Sequence, residues 1–299
     1  MSTKINAIQP YFGGKRTMGP AIAIELGKHT QYFEPFCGSM AVLFAKEPSQ
    51  KETVNDLHGD LINLAHVLQD VNLAEQLYDR LQRTLFSEGL LSEAREQLEG
   101  ANLPAGVDRA YWYFLSGWMG RNGNAGTSRV DYQIAVRWTA GGGSPTVRFR
   151  HAVESIPWWH ERLRNVVILR RDAFDILPKF EDVKGTAIYC DPPYMADTRS
   201  RGCIKNGRGG KYLHEFDHSG GMFGDDHVRL FDVLSGYRDA RIVVSYYDCQ
   251  RIRELYKGWT FVEHTRQKHL HAQNGRGARP KLAPEVLIIN GDSLASSAG

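Results

Sequence analysis

The sequence predicts an α/β fold built on a mainly parallel sheet. Three observations point there. Seven short runs of apolar and β-branched residues, each ended by turn signals, read as strands. Several are continuously apolar instead of alternating, as expected for strands covered on both faces. Helical patterns fall between them, and strand-then-helix alternation is the signature of parallel strands joined by crossover helices.

In chain order, a helical pattern over 21–28 precedes strands at 31–36 and 53–55, and a second helix follows over 61–68. The rhythm then breaks. Helical patterns at 73–85, 91–98 and 109–119 lead into a glycine-rich stretch and a further helix at 153–163. Alternation resumes with strands at 166–169, 187–190, 241–245, 260–263 and 285–290, and helices at 226–234 and 252–256. The expected organisation is a discontinuous sheet domain over 1–64 and 165–291. A mostly helical insert spans 65–164, and 292–299 is expected to be a disordered tail.

Composition bounds the class. Hydrophobic residues make up 42% and charged residues 24% of the 299, close to an average soluble chain. No run approaches the ~18 apolar residues of a membrane span. The opening Met1-Ser2-Thr3-Lys4-Ile5-Asn6 lacks the apolar core of a secretory signal, so a cytoplasmic protein is expected. Cys37, Cys190, Cys203 and Cys249 are widely spaced and form no Cys-x-x-Cys pair, and no His-Glu-x-x-His occurs among the histidines. Reduced thiols and no metal are expected.

A net charge of +3 hides an uneven distribution. Residues 198–214 contain no acid but hold Arg199, Arg201, Lys205, Arg208 and Lys211. Residues 264–284 are likewise acid-free, as are 132–153, which carry Arg137, Arg148, Arg150 and His151. Their glycine and polar content reads as loops, and basic loops suit a phosphate backbone.

The most specific motif is Tyr189-Cys190-Asp191-Pro192-Pro193-Tyr194. It directly follows a strand, where open α/β sheets build their sites. Prolines make the turn rigid and rich in carbonyl acceptors, Asp191 adds a carboxylate, and Tyr194 adds a flat face. Such a turn suits the exocyclic amino group of a planar base. A second motif, Glu34-Pro35-Phe36-Cys37-Gly38-Ser39-Met40, runs from a strand through a glycine turn into a helix, which lets a ligand approach the backbone. Asn55-Asp56 ends the next strand, where an acid either holds ribose hydroxyls or caps a helix. Tyr11-Phe12-Gly13-Gly14-Lys15 is a glycine turn followed by a cation.

Taken in order, these four motifs resemble the Dam-like, D12-class, alpha-group family of DNA N6-adenine methyltransferases. The family's second loop glycine is replaced by Met40. The resemblance implies the Rossmann-like, seven-stranded sheet of class I S-adenosylmethionine-dependent methyltransferases, with the insert as target-recognition domain. It also implies S-adenosyl-L-methionine as methyl donor and double-stranded DNA as partner, in a bacterial or phage-encoded protein acting as a monomer. By motif match, Tyr11, Lys15, Phe36, Gly38, Asp56, Asp172 and Asp191 are expected to line the cofactor site. Asp191, Pro192, Pro193 and Tyr194 are expected to hold a flipped adenine. Arg121 and Asn122 are assigned to base reading, and the five cations of 198–214 to phosphate contact. The alternatives are cytosine-N4 methylation, disfavoured by an acid at Asp191, and a catalytically silent DNA-binding relative.

Overall fold

The computed structural model describes residues 4–11, 13–100, 103–121, 133–136, 143–195, 214–216, 225–267 and 282–295. All seven expected strands form: β1 (Gln31–Glu34), β2 (Lys51–Asn55), β3 (Val166–Leu169), β4 (Thr186–Cys190), β5 (Arg241–Tyr247), β6 (Thr260–Gln267) and β7 (Leu282–Ile289). They make one sheet in the order β3-β2-β1-β4-β5-β7-β6. The first five pair in parallel, and β7 lies antiparallel between β5 and β6. The strand order reverses between β1 and β4, so a crevice opens beyond their carboxyl ends.

Helices α1 (Gly19–Leu26), α2 (Ala41–Ala45) and α3 (Gly59–Gln69) follow the first strands' rhythm. Next come α4 (Val71–Gln82), α5 (Glu88–Glu99), α6 (Val107–Met119), α7 (Pro145–Glu154) and α8 (Ile156–Leu163). Then α9 (Ala173–Ile176), α10 (Asp226–Ser235) and α11 (Gln250–Leu255) complete the chain's helices among the described residues. Side chains start several of them: Asp70 accepts from the Leu73 amide, Ser87 from Leu90, and Asp225 from His227.

Period-two alternation sorts the strand residues between two cores. Ala187, Tyr189 and Val243 face a core shared with α1–α8, whereas Ile188, Cys190, Ile242 and Val244 face one shared with α9–α11. Among the described residues the helical segment therefore shares its core with the sheet: its apolar faces run on into one face of the sheet. The N-terminal residues cement this join. The Trp159 indole donates to the Ile5 carbonyl at 2.7 Å, Trp118 to Ile8 at 3.2 Å, and Gln9 to Tyr113 at 2.6 Å. The Ser155 hydroxyl accepts from the Ile5 amide.

Three expectations need correction. The single helix expected at 153–163 is two, α7 and α8, meeting at Ser155, because Pro157 cannot continue the hydrogen-bond ladder of α7 and instead starts α8. The basic window 132–153 is not all loop: Arg148, Arg150 and His151 ride on α7. The tail expected to be disordered over 292–299 is held through residue 295. There the buried Glu25 carboxylate accepts from the Ser293 hydroxyl at 2.7 Å and from the Leu294 amide at 2.9 Å.

Candidate functional site

A cavity of about 480 Å³ opens at the β1/β4 switch point, within the roughly 300–1,000 Å³ usual for small-molecule sites. Its walls come from the carboxyl ends of β1, β2 and β4, the Gly13–Lys15 turn, and the starts of α9 and α10.

The floor is the turn between β1 and α2. Gly38 adopts φ 44°, and a side chain there would meet the Tyr11 ring at 3.3 Å. Met40 also takes a left-handed conformation, φ 60°, and buries its side chain fully. The residue at the second glycine position thus keeps a glycine's backbone, at roughly 1–2 kcal/mol of strain offset by burial of the thioether chain. The turn thus keeps its left-handed geometry at residue 40.

Asp56 stands beside this floor. One carboxylate oxygen accepts from the Gly38 amide and the other from His58, both at 2.9 Å. A carboxylate has about four acceptor sites, so it keeps capacity for hydroxyl donors. Asn55 was missed as a structural element of the site. Its amide donates to the Pro35 and Arg171 carbonyls and accepts from the Arg171 amide, tying the ends of β1, β2 and β3 together. Asp172 caps α9 by accepting from the Phe174 amide at 2.8 Å and lines the cavity. Phe174, stacked beneath the Arg229 guanidinium at 4.1 Å, closes that end.

At the other end stands Asp191. Lys15, 3% exposed, places its Nζ 2.9 Å from Asp191 Oδ2, donates to the Gly13 carbonyl and lies over the Tyr194 ring at 4.9 Å. The Ser245 hydroxyl donates to Asp191 Oδ1 at 2.8 Å. Tyr11, Lys15, Phe36, Gly38, Asp56, Asp172, Asp191 and Pro193 all line the one cavity, as their motifs imply together. Lys15 does so with its ammonium committed to Asp191.

Tyr194 sits differently from the open stacking face its motif suggests. It is 2% exposed, packed edge-on to Tyr247 and tilted against Tyr246, and is not among the described residues lining the cavity. Pro192 is buried. Arg121 is exposed at the end of a short antiparallel ribbon, its guanidinium 2.9 Å from the Gln133 side-chain oxygen. Asn122, Arg199, Arg201, Lys205, Arg208 and Lys211 lie outside the described residues.

Glu34 was not singled out as a site residue, yet its carboxyl lines the cavity almost wholly buried, accepting from the Tyr32 hydroxyl at 2.9 Å. Burial pushes it up to about 8, and the Asp191 charge nearby adds to the effect. A carboxyl raised above its ordinary range costs nothing while neutral in both folded and unfolded chains. The Glu34 contribution to stability is therefore most favourable at acid pH, falls as pH rises from about 4.5, and levels off above about 8. Glu34→Gln keeps the acceptor and removes the charge. It is expected to stabilise the fold at pH 9 by a few kcal/mol, at about 1.4 kcal/mol per pH unit of displacement, seen as a higher melting temperature, and to change little at pH 4.5. Melting curves across pH check this; equal effects at both ends would mean the carboxyl is not neutral in the fold.

Residues 11–99 match the D12 class N6 adenine-specific DNA methyltransferase family. That segment carries the Tyr11–Lys15 turn, the Glu34–Met40 loop and Asp56, and the resemblance drawn from the motifs is borne out. The chain is also 26% identical over 290 residues to the retron Ec67 DNA adenine methylase of Escherichia coli, covering 91% of this chain and 88% of that protein. Among solved structures, precorrin 8W decarboxylase from Methanobacterium thermoautotrophicum aligns over 93% of this chain and 89% of its own, at 10% identity and a TM-score of 0.35. A likeness that loose carries no argument.

Proposed function

We propose that this chain, with its D12 class N6 adenine-specific DNA methyltransferase match over residues 11–99, transfers a methyl group from S-adenosyl-L-methionine to the N6 amino group of an adenine flipped out of double-stranded DNA. One observation carries the reading. The Asp191 carboxylate stands at the mouth of the strand-switch cavity, held at one oxygen by Lys15 and at the other by Ser245.

The cavity fits the donor. Besides Glu34, six carboxyl residues line it, Asp56, Asp172, Asp175, Asp191, Glu215 and Asp226, against Lys15, Arg171 and Arg229, and that excess of acid suits a cation. Asp56 has acceptor capacity for ribose hydroxyls, while Phe36 and Phe174 offer flat walls for a purine. When bound, the donor supplies an electrophilic methyl on a sulfonium and leaves as a neutral thioether. Lys15 and Ser245 keep Asp191 oriented. Asp191 accepts one hydrogen of the adenine amino group and the Pro192 carbonyl the other. That draws the nitrogen lone pair out of conjugation and aims it at the methyl. Asp191 or solvent takes the proton released. Phosphate contact falls to the cations of 198–214 and base reading to Arg121 and Asn122.

Incubation of unmethylated DNA with the protein and donor, followed by digestion to nucleosides and mass spectrometry, tests this. N6-methyldeoxyadenosine is expected. N4-methyldeoxycytidine, or no methylated base, would overturn the proposal.

Tyr194 calls for its own pair of variants. Because the ring is buried against Tyr246 and Tyr247, Tyr194→Ala is expected to cost about 3–5 kcal/mol of stability as well as activity. Tyr194→Phe should keep both. Denaturant titration alongside turnover checks this, and equal loss of turnover in both variants would assign the role to the hydroxyl.

A further inference from the structure

We infer that Ser245, backed by Tyr189, is a positioning residue for methyl transfer that fixes the direction in which Asp191 accepts its hydrogen bond. The inference rests on the reading of Asp191 given above. Ser245 is the polar member of the fully buried β5 run Ile242-Val243-Val244-Ser245-Tyr246. Its Oγ lies 2.8 Å from Asp191 Oδ1 and 2.9 Å from the Tyr189 hydroxyl on the neighbouring strand β4.

The direction of these bonds follows from proton counting. An ionised carboxylate only accepts, so the single Ser245 hydrogen goes to Asp191. The bond between the hydroxyls must therefore run from Tyr189 to Ser245. Two O–H donors in series, both out of water, polarise one another and end on the carboxylate. Lys15 holds the other oxygen, 2.9 Å away. With both oxygens pinned, from β5 and from the Gly13–Lys15 turn, rotation of the carboxylate about its bond is blocked. Its remaining lone pairs point in fixed directions before any substrate arrives, and such preorganisation lowers the barrier to reaction.

Stability alone does not call for this chain of hydroxyls. Replacing both partners of a buried pair by apolar groups of similar shape is often nearly neutral. What an alanine–phenylalanine pair could not do is orient Asp191.

The test measures single-turnover transfer to adenine together with dissociation constants for donor and DNA. Ser245→Ala is expected to slow transfer by about 10- to 100-fold, the worth of a hydrogen bond to a charged group, with both dissociation constants within about twofold of wild type. Ser245→Thr keeps the hydroxyl and should recover most of the rate. Tyr189→Phe, which removes only the distal donor and keeps the ring, should show a smaller loss, and it stands as the test should Ser245→Ala fail to fold. Wild-type rates in Ser245→Ala, or in Tyr189→Phe where it serves as the test, would overturn the inference. So would a Ser245→Thr variant as slow as Ser245→Ala, or a loss carried wholly by weaker binding. In each of those outcomes wild-type methylation of adenine leaves the proposed function standing. A wild-type protein that transfers no methyl to adenine removes both.

Discussion

Asp191→Asn should lower methyl transfer to adenine by at least about 100- to 1,000-fold, the range seen when one preorganised electrostatic partner is removed from an active site. The replacement has the same shape but no charge, and half of its polar surface is a donor. If the amide nitrogen faces the substrate, it meets an amino group that is also donating. If it faces inward, it meets either the Lys15 ammonium, 2.9 Å from Oδ2, or the Ser245 hydroxyl, whose proton has served Oδ1. With the amide nitrogen at the Oδ2 position, the buried Lys15 keeps, among the described residues, the Gly13 carbonyl and the Tyr194 ring face. A moderate loss of stability, about 1–3 kcal/mol, is therefore expected beside the catalytic loss. Asp191→Ala should be as inactive. The checks are single-turnover rates and thermal melts on the same preparations. Near wild-type turnover in Asp191→Asn would end the assignment of this carboxylate as the acceptor.

Glu52→Ala should cost about 3–5 kcal/mol of stability, the penalty for removing one partner of a buried ion cluster. The Glu52 carboxylate on β2 lies 2.5 Å from Lys46 Nζ, which follows α2, and binds the Arg162 guanidinium of α8 through both oxygens. Arg162 also donates to the Leu43 carbonyl at 3.0 Å. Burial alone would raise the Glu52 carboxyl, but the hydrogen bonds from Arg162 and Lys46 outweigh it and hold the group below its ordinary value. Its contribution is thus present at neutral pH and is lost as pH falls through the acid range. Without Glu52, two cations face each other with little water. A fall in melting temperature on the order of 10 °C at pH 7 is expected, smaller at pH 4. An unchanged melting temperature at pH 7 would show that the cluster contributes nothing.

The sheet was legible because its signal is local. Continuous runs such as Ala187-Ile188-Tyr189-Cys190 announce buried strands whatever surrounds them, and the ends fell within a few residues of the observed ones. The site was half legible for a related reason. Asp191, Gly38 and Asp56 stand in turns whose residue types are themselves unusual, whereas Ser245 and Glu34 stand within strands and show only as single polar residues in apolar surroundings. Tyr194 misled because a tyrosine after two prolines reads as exposed. Its burial is decided by Tyr246 and Tyr247, more than fifty positions later. The order at 292–295 depends likewise on Glu25, at the opposite end of the sequence. The helix break at Ser155 could have been read from Pro157. Sharing of one core between helices and sheet could not, because amphipathic helices do not declare which apolar surface they will meet.

The N-terminal segment has a consequence for how the protein is made. Ile5 bonds to Ser155 and Trp159, which leave the ribosome about 150 positions after it. At about 5–20 residues per second it waits on the order of ten seconds for those partners. The Gly13–Lys15 turn follows directly behind this segment, and Lys15 pairs with Asp191, which emerges later still. A nascent chain stopped before α8 holds β1, β2 and the glycine loop yet cannot seat its lysine. Order of synthesis thus makes closure of the Lys15–Asp191 corner wait for more than half of the chain.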